Sequence, residues 1–307
     1  MQRKDFIKSS LLTSAGLFAS GVTKGAINKT ETLLNSNQPF NLDYAIHDGM
    51  FSNSSGKEFI DQIKFAHENG FRSIEDNGMA GRPAEQQKKI GEALAKLNMS
   101  MGVFVLDKGG NDNNSFASGK KEYLEIFLKG CRQAIEVSKR CNGKLATVVP
   151  GDFDRNLPIG IQTGNVIEAL RRGAEILEPH GIVMVLEPLS DSPNLFLRNS
   201  DQTYAICKAV NSPSCKILFD MYHMQRNEGD LINNIDHTYQ EIAYFQIGNN
   251  PGRNEPTTGE IDYKNIFKHI YNKGYKGILG MEHGKSKPGK EGEQALIKAY
   301  RDSDNFV

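Results

Sequence analysis

The sequence predicts an α/β protein built as a single (β/α)8 barrel, and three observations carry that expectation. Short apolar runs recur along the chain, of a length and composition that suit parallel strands buried on both faces. Amphipathic helical patterns alternate with them. The last four runs each finish on a side-chain oxygen: residues 182–186 on Glu187, 217–219 on Asp220, 242–245 on Gln246 and 277–281 on Glu282. The C-terminal strand ends of a barrel form its active face, so this pattern gathers polar groups at one mouth.

The elements follow in order. Residues 44–46 are expected as the first strand, ending at His47. A helix from Lys57 sets Phe59, Ile60, Ile63 and Ala66 on one face and stops at Gly70. Residues 71–75 form the second strand, ending at Glu75. Helix 84–97 leads to strand 101–106, and helix 121–140 leads to strand 145–149. Helix 165–178 precedes the strand that ends at Glu187. Three further units carry Asp220, Gln246 and Glu282, with Asp262 capping a helix to Asn272 and a last helix over 293–301.

The 307 residues carry 37 basic and 37 acidic side chains. One barrel of about 250 residues consumes most of this length. Neutral balance argues against a nucleic-acid partner and suits a small molecule. At the N-terminus, Arg3, Lys4 and Lys8 precede a mild apolar stretch at 11–22, the order of a secretory signal. The opening resembles a twin-arginine signal, with Lys4 in place of the second arginine. Residues 1–27 are therefore expected as a signal-like segment, 28–39 as a linker and 40–307 as the barrel. Export to the periplasm is the expected localisation, with a cytoplasmic protein as the alternative. The apolar stretch is too short and too polar to span a membrane. Cys131, Cys141, Cys207 and Cys215 lack zinc-knuckle spacing, and Cys131 shares an apolar helix face with Leu124, Phe127, Leu128 and Ile135.

Any one strand-end carboxylate is adequately explained as a cap or an ion-pair partner. Four oxygen donors on consecutive strands are not, because crowded carboxylates resist ionisation unless positive charge sits between them. A divalent cation meets that need, and an all-oxygen set favours Mg2+ or Mn2+ over zinc. Glu187 and Glu282 flank the other two strands, so they are placed to remove and return a carbon-bound proton. Asp220 and Gln246 are then mainly ligands. His47 and Glu75, at the ends of strands one and two, are candidate substrate contacts.

The motifs carry a resemblance. Residues 186–189 (Leu-Glu-Pro-Leu), 219–225 with 228–231, 245–247, 251–256, 258–263 and 280–282 resemble, in order, the hydroxypyruvate isomerase family. That family lies within the xylose-isomerase-like TIM barrels, beside ketose epimerases and endonuclease-four-type enzymes. The match is dense from about Gly181 to Glu282 and architectural before that. It implies Glu187, Asp220, Gln246 and Glu282 as metal ligands, and Glu187 and Glu282 as the acid/base pair. It also implies substrate contacts at His223 and Arg253, and a homo-oligomer. The epimerases usually have histidine where Gln246 stands. The implied activity moves a carbonyl between adjacent carbons of a small hydroxycarbonyl compound or sugar through an enediolate, as from hydroxypyruvate to tartronate semialdehyde. An epimerase on the same scaffold is the runner-up. A phosphodiesterase of the endonuclease-four type would need more strand-end histidines than His47, His223 and His283, and a non-catalytic sugar-binding barrel would not need the acid/base pair.

Overall fold

The computed structural model describes residues 38–307; the signal-like segment and nearly all of the linker lie outside them. Among the described residues there are nine strands: β1 (Asp43–Ile46), β2 (Ser73–Ile74), β3 (Ser100–Met101), β4 (Val103–Val105), β5 (Leu145–Val148), β6 (Val183–Leu186), β7 (Cys215–Asp220), β8 (Ile242–Gln246) and β9 (Ile278–Gly280). All pair in parallel, in the order β3-β2-β1-β9-β8-β7-β6-β5-β4. β3 pairs with β2 and β4 with β5, and only Gly102 separates them. They are two halves of one barrel strand, so nine segments fill eight positions. The expected single strand at 101–106 is divided at Gly102, where a Cβ would lie 2.5 Å from the Tyr244 hydroxyl.

The helices match the expected alternation, with shifts at their ends. The helix expected at 165–178 runs Ile159–Leu177, and the last helix runs Gly289–Asp304. The helix expected from Lys57 is Phe59–Glu68, preceded by a single turn at Ser52–Ser55. Asp262 caps Tyr263–Asn272 by accepting from Asn265 N, as its position implied. Cys131 is buried in the layer between barrel and helices with Phe127, Leu128 and Ala134. No helix among the described residues is long and apolar enough to cross a membrane.

Strand parity positions the site. Val185, Leu218 and Tyr244 fill the barrel interior with Val103, against which Ile278 packs. Side chains two residues further along a strand point the same way. Two residues beyond Val185 is Glu187, beyond Leu218 is Asp220, beyond Tyr244 is Gln246, and four beyond Ile278 is Glu282. An apolar plug thus carries a polar layer on its C-terminal side. The intervening Phe219 and Phe245 point outward and pack edge-on at 5.9 Å.

His283, 5% exposed, links this layer to the last helix. Its Nδ1 lies 2.6 Å from Gly284 O and its Nε2 lies 2.8 Å from the Tyr300 hydroxyl. A carbonyl only accepts, so Nδ1 donates and the neutral ring receives from Tyr300. Burial pushes the imidazole pKa down to about 3. The unfolded chain binds this proton near pH 6.5 while the fold resists it, so stability falls as pH drops through that window. Relative to His283→Gln, the natural chain should lose roughly 2–3 kcal/mol of unfolding free energy between about pH 7 and about pH 4.5. Denaturant titrations of both proteins across that range measure it, and a pH-independent difference would contradict the assignment.

Candidate active site

Glu187 follows β6 directly, Asp220 and Gln246 are the last residues of β7 and β8, and Glu282 lies two residues past β9. One donor atom each from Glu187, Asp220, His223 and Glu282 falls within a single group spanning 4.8 Å. Gln246 stands opposite Asp220 in register. The four strand-end residues expected to converge therefore share one mouth, and His223 joins them one turn beyond Asp220.

Each side chain is held by a local device. Asp220 Oδ1 accepts from Tyr222 N at 2.7 Å and from His223 N at 3.4 Å, starting the helix Met221–Asn227 and leaving Oδ2 for the mouth. Glu282 Oε1 accepts from Asn77 Nδ2 at 2.7 Å. Arg253 reaches in from the loop after β8: its Nη2 donates to Glu282 Oε2 at 2.7 Å and to Asp220 Oδ2 at 3.3 Å, and its Nε donates to Glu282 O. The guanidinium also lies 4.7 Å from the centre of the Tyr222 ring.

His223 is held at both ring nitrogens. The backbone N–H of Ser190, which can only donate, points to Nδ1 at 3.2 Å, and the Ser190 hydroxyl lies 2.8 Å from the same nitrogen. Arg253 Nη2, also a donor, lies 3.3 Å from Nε2. Nε2 faces the carboxylates, 3.4 Å from Asp220 Oδ2 and 4.0 Å from Glu187 Oε1.

Electrostatically, the two glutamates of the mouth resist charging. Burial, then the Glu282 and Asp220 charges, raise Glu187 well above the ordinary carboxylate range. Burial and Asp220 raise Glu282 to about 7, against the pull of Arg253. Burial lowers His223, against the opposing pull of Asp220. Glu282, at about 7, is thereby prepared to exchange a proton near neutrality.

The two remaining candidates sit elsewhere. His47 is at the rim, with Nδ1 2.8 Å from Asp48 O and Nε2 3.1 Å from His283 O. Glu75 lies below the mouth, 1% exposed, bonded to Tyr244 and Gln246. Asn77, Ser190 and Tyr244 were not singled out in the sequence. Tyr244 alone had a signal there, as the inward-facing residue two before Gln246.

Carboxylates grouped with a histidine and an arginine stand here at the C-terminal mouth of an eightfold barrel, where barrel enzymes carry their active sites. The chain belongs to the xylose isomerase-like TIM barrel family, whose profile matches residues 63–302. It is an isomerase, similar to the hydroxypyruvate isomerase of Escherichia coli K12, with 29% identity over 234 residues covering 74% of this chain and 88% of that one. The 2-oxo-tetronate isomerase of Cupriavidus necator is 31% identical over 158 residues, covering 51% of this chain and 59% of that relative. Among solved structures, AP endonuclease family 2 from Brucella melitensis superposes with a TM-score of 0.70 at 24% identity, over 82% of this chain and 96% of that one. That last likeness is one of fold.

Proposed function

We propose that this protein is a divalent-metal-dependent isomerase that moves a carbonyl between adjacent carbons of a small hydroxycarbonyl acid or sugar. The observation that carries the reading is the trio Glu187, Asp220 and Glu282 at one barrel mouth, the first two buried and Glu282 partly so, with burial raising both glutamates above the ordinary carboxylate range. Glu187 and Glu282 are the proton-transferring pair. One removes the carbon-bound proton and the other returns a proton to the neighbouring carbon, with an enediolate between the two transfers.

The donor set fits a hard divalent cation. Glu187, Asp220 and Glu282 offer carboxylate oxygens, and Gln246 Oε1 is buried with no hydrogen-bond partner. Four oxygen donors favour Mg2+ or Mn2+. A bound cation would polarise the substrate's carbonyl and hydroxyl oxygens. Arg253 is suited to a substrate carboxylate, and the His223 imidazole to a substrate hydroxyl.

Hydroxypyruvate and 2-oxo-tetronate, named for the relatives, are the first substrates to assay, followed by sugars and oxidised sugars. Turnover in deuterated water tests the reaction type. Isomerisation delivers deuterium to the neighbouring carbon of the product. Deuterium found only on an inverted carbon would replace this reading with epimerisation. Export of the protein belongs to the same proposal, and sequencing the mature N-terminus tests it.

A further inference from the structure

Beneath the mouth lies a second layer of polar groups closed off from solvent. Glu75 and Gln246 are each 1% exposed and Tyr244 is fully buried. The Tyr244 hydroxyl donates to Glu75 Oε2 at 3.0 Å, and Gln246 Nε2 donates to the same oxygen at 3.4 Å. Two inward-facing glycines make room for them. A Cβ on Gly280 would collide with Glu75 Oε2, and one on Gly102 would lie 2.5 Å from the Tyr244 hydroxyl.

Gln246 is the member of this layer that also belongs to the mouth. Its amide is planar and two-ended, with a donor on one branch and an acceptor on the other. Reversing it would set Oε1 against Glu75 Oε2, oxygen against oxygen, so the acceptor on Glu75 determines which end faces down. The other end, Oε1, is buried without a hydrogen-bond partner. Leaving such an oxygen unmatched costs about 1–3 kcal/mol and calls for a ligand. Gln246 stands in register with Asp220 on one side and Gly280 on the other, within the row of strand ends that holds the carboxylates.

We propose that Glu75 is a positioning residue for cation binding: by accepting from Gln246 Nε2 it fixes the amide so that Oε1 is the end offered beside Asp220. The role rests on the metal-dependent reading above. It needs an acceptor oxygen at that place and not a negative charge, so an amide in place of the carboxyl serves equally. Tyr244 acts one step further back, anchoring the accepting oxygen. A carboxylate at position 246 would present an oxygen in either orientation and would need no such partner.

Mn2+ binding, read from the electron paramagnetic resonance of the free ion, tests this without reference to turnover. Glu75→Leu should bind Mn2+ about 10–100-fold more weakly than the natural protein, the usual cost of losing a group that orients a ligand. Glu75→Gln should stay within about threefold of it, since the acceptor is kept. In a Gln246→Glu background, Glu75→Leu should cost nothing further. A folded Glu75→Leu protein with undiminished affinity, or a Glu75→Gln protein as weak as Glu75→Leu, overturns the positioning role. If Glu75→Leu does not fold, Tyr244→Phe decides: weaker Mn2+ binding supports the role and unchanged binding overturns it. A natural protein that binds neither Mn2+ nor Mg2+ removes the metal-dependent reading itself, which distinguishes that failure from this one.

Discussion

Glu187→Gln and Glu282→Gln are each expected to lower kcat by about 10²–10⁴-fold, the range ascribed to a positioned general acid or base. The amide keeps the size and much of the hydrogen bonding of the carboxyl but cannot take up or release the proton. Stability should hold or rise. Burial and neighbouring carboxylates already disfavour the charged form of both residues, so neutralising either relieves repulsion with Asp220. Thermal unfolding therefore separates loss of chemistry from loss of fold. Solvent exchange separates the two roles. The variant that lacks the abstracting group should show no deuterium uptake into recovered substrate, while the other should exchange although its turnover is lost. Full activity in either variant would remove this mechanism.

Much of this arrangement was legible because strand parity is a strict rule. A buried strand whose last residue is polar must turn that residue toward the space its apolar residues two positions back already occupy. Val185 to Glu187, Leu218 to Asp220 and Tyr244 to Gln246 follow it directly. Long amphipathic helices were equally plain, as in Ala84–Leu97. The need for glycine at 102 was not, because a Cβ there would meet a ring on β8, more than a hundred residues away in the chain. The same holds for the partners of the site. Asn77 reaches Glu282 from the loop after β2, and Ser190 meets His223 Nδ1 from the loop after β6. Neither residue lies in an apolar run or a charge pattern, so only the closed barrel brings them to their partners. Glu75 was visible as a strand end, but its depth depends on the two glycines that vacate the space it fills.

Removing divalent cations should abolish turnover, and adding back Mn2+ or Mg2+ should restore it. The expectation follows from the charge balance of the mouth. Glu187, Asp220 and Glu282 bring three carboxyls together, and the cation within reach of two of them is Arg253, at 2.7 Å from Glu282 and 3.3 Å from Asp220. Burial, and then the neighbouring carboxylate charges, displace the two glutamates upward, and one guanidinium does not offset this. A divalent ion favours the ionised forms and binds the folded chain alone, because unfolding scatters its ligands over four strands. At about 100 times its dissociation constant it should add about 2.7 kcal/mol of stability. For a barrel of this size that corresponds to a rise in Tm of roughly 5–10 °C, readable in a thermal scan with and without chelator. Asp220→Ala should lose this rise together with activity, since it removes the carboxylate between the two glutamates. Glu282→Gln should keep part of the rise, because its amide oxygen can still act as a ligand while its proton chemistry is gone. Undiminished turnover in chelator, with no response of Tm to Mn2+, would leave the carboxyls to Arg253 and make proton transfer at this mouth metal-free.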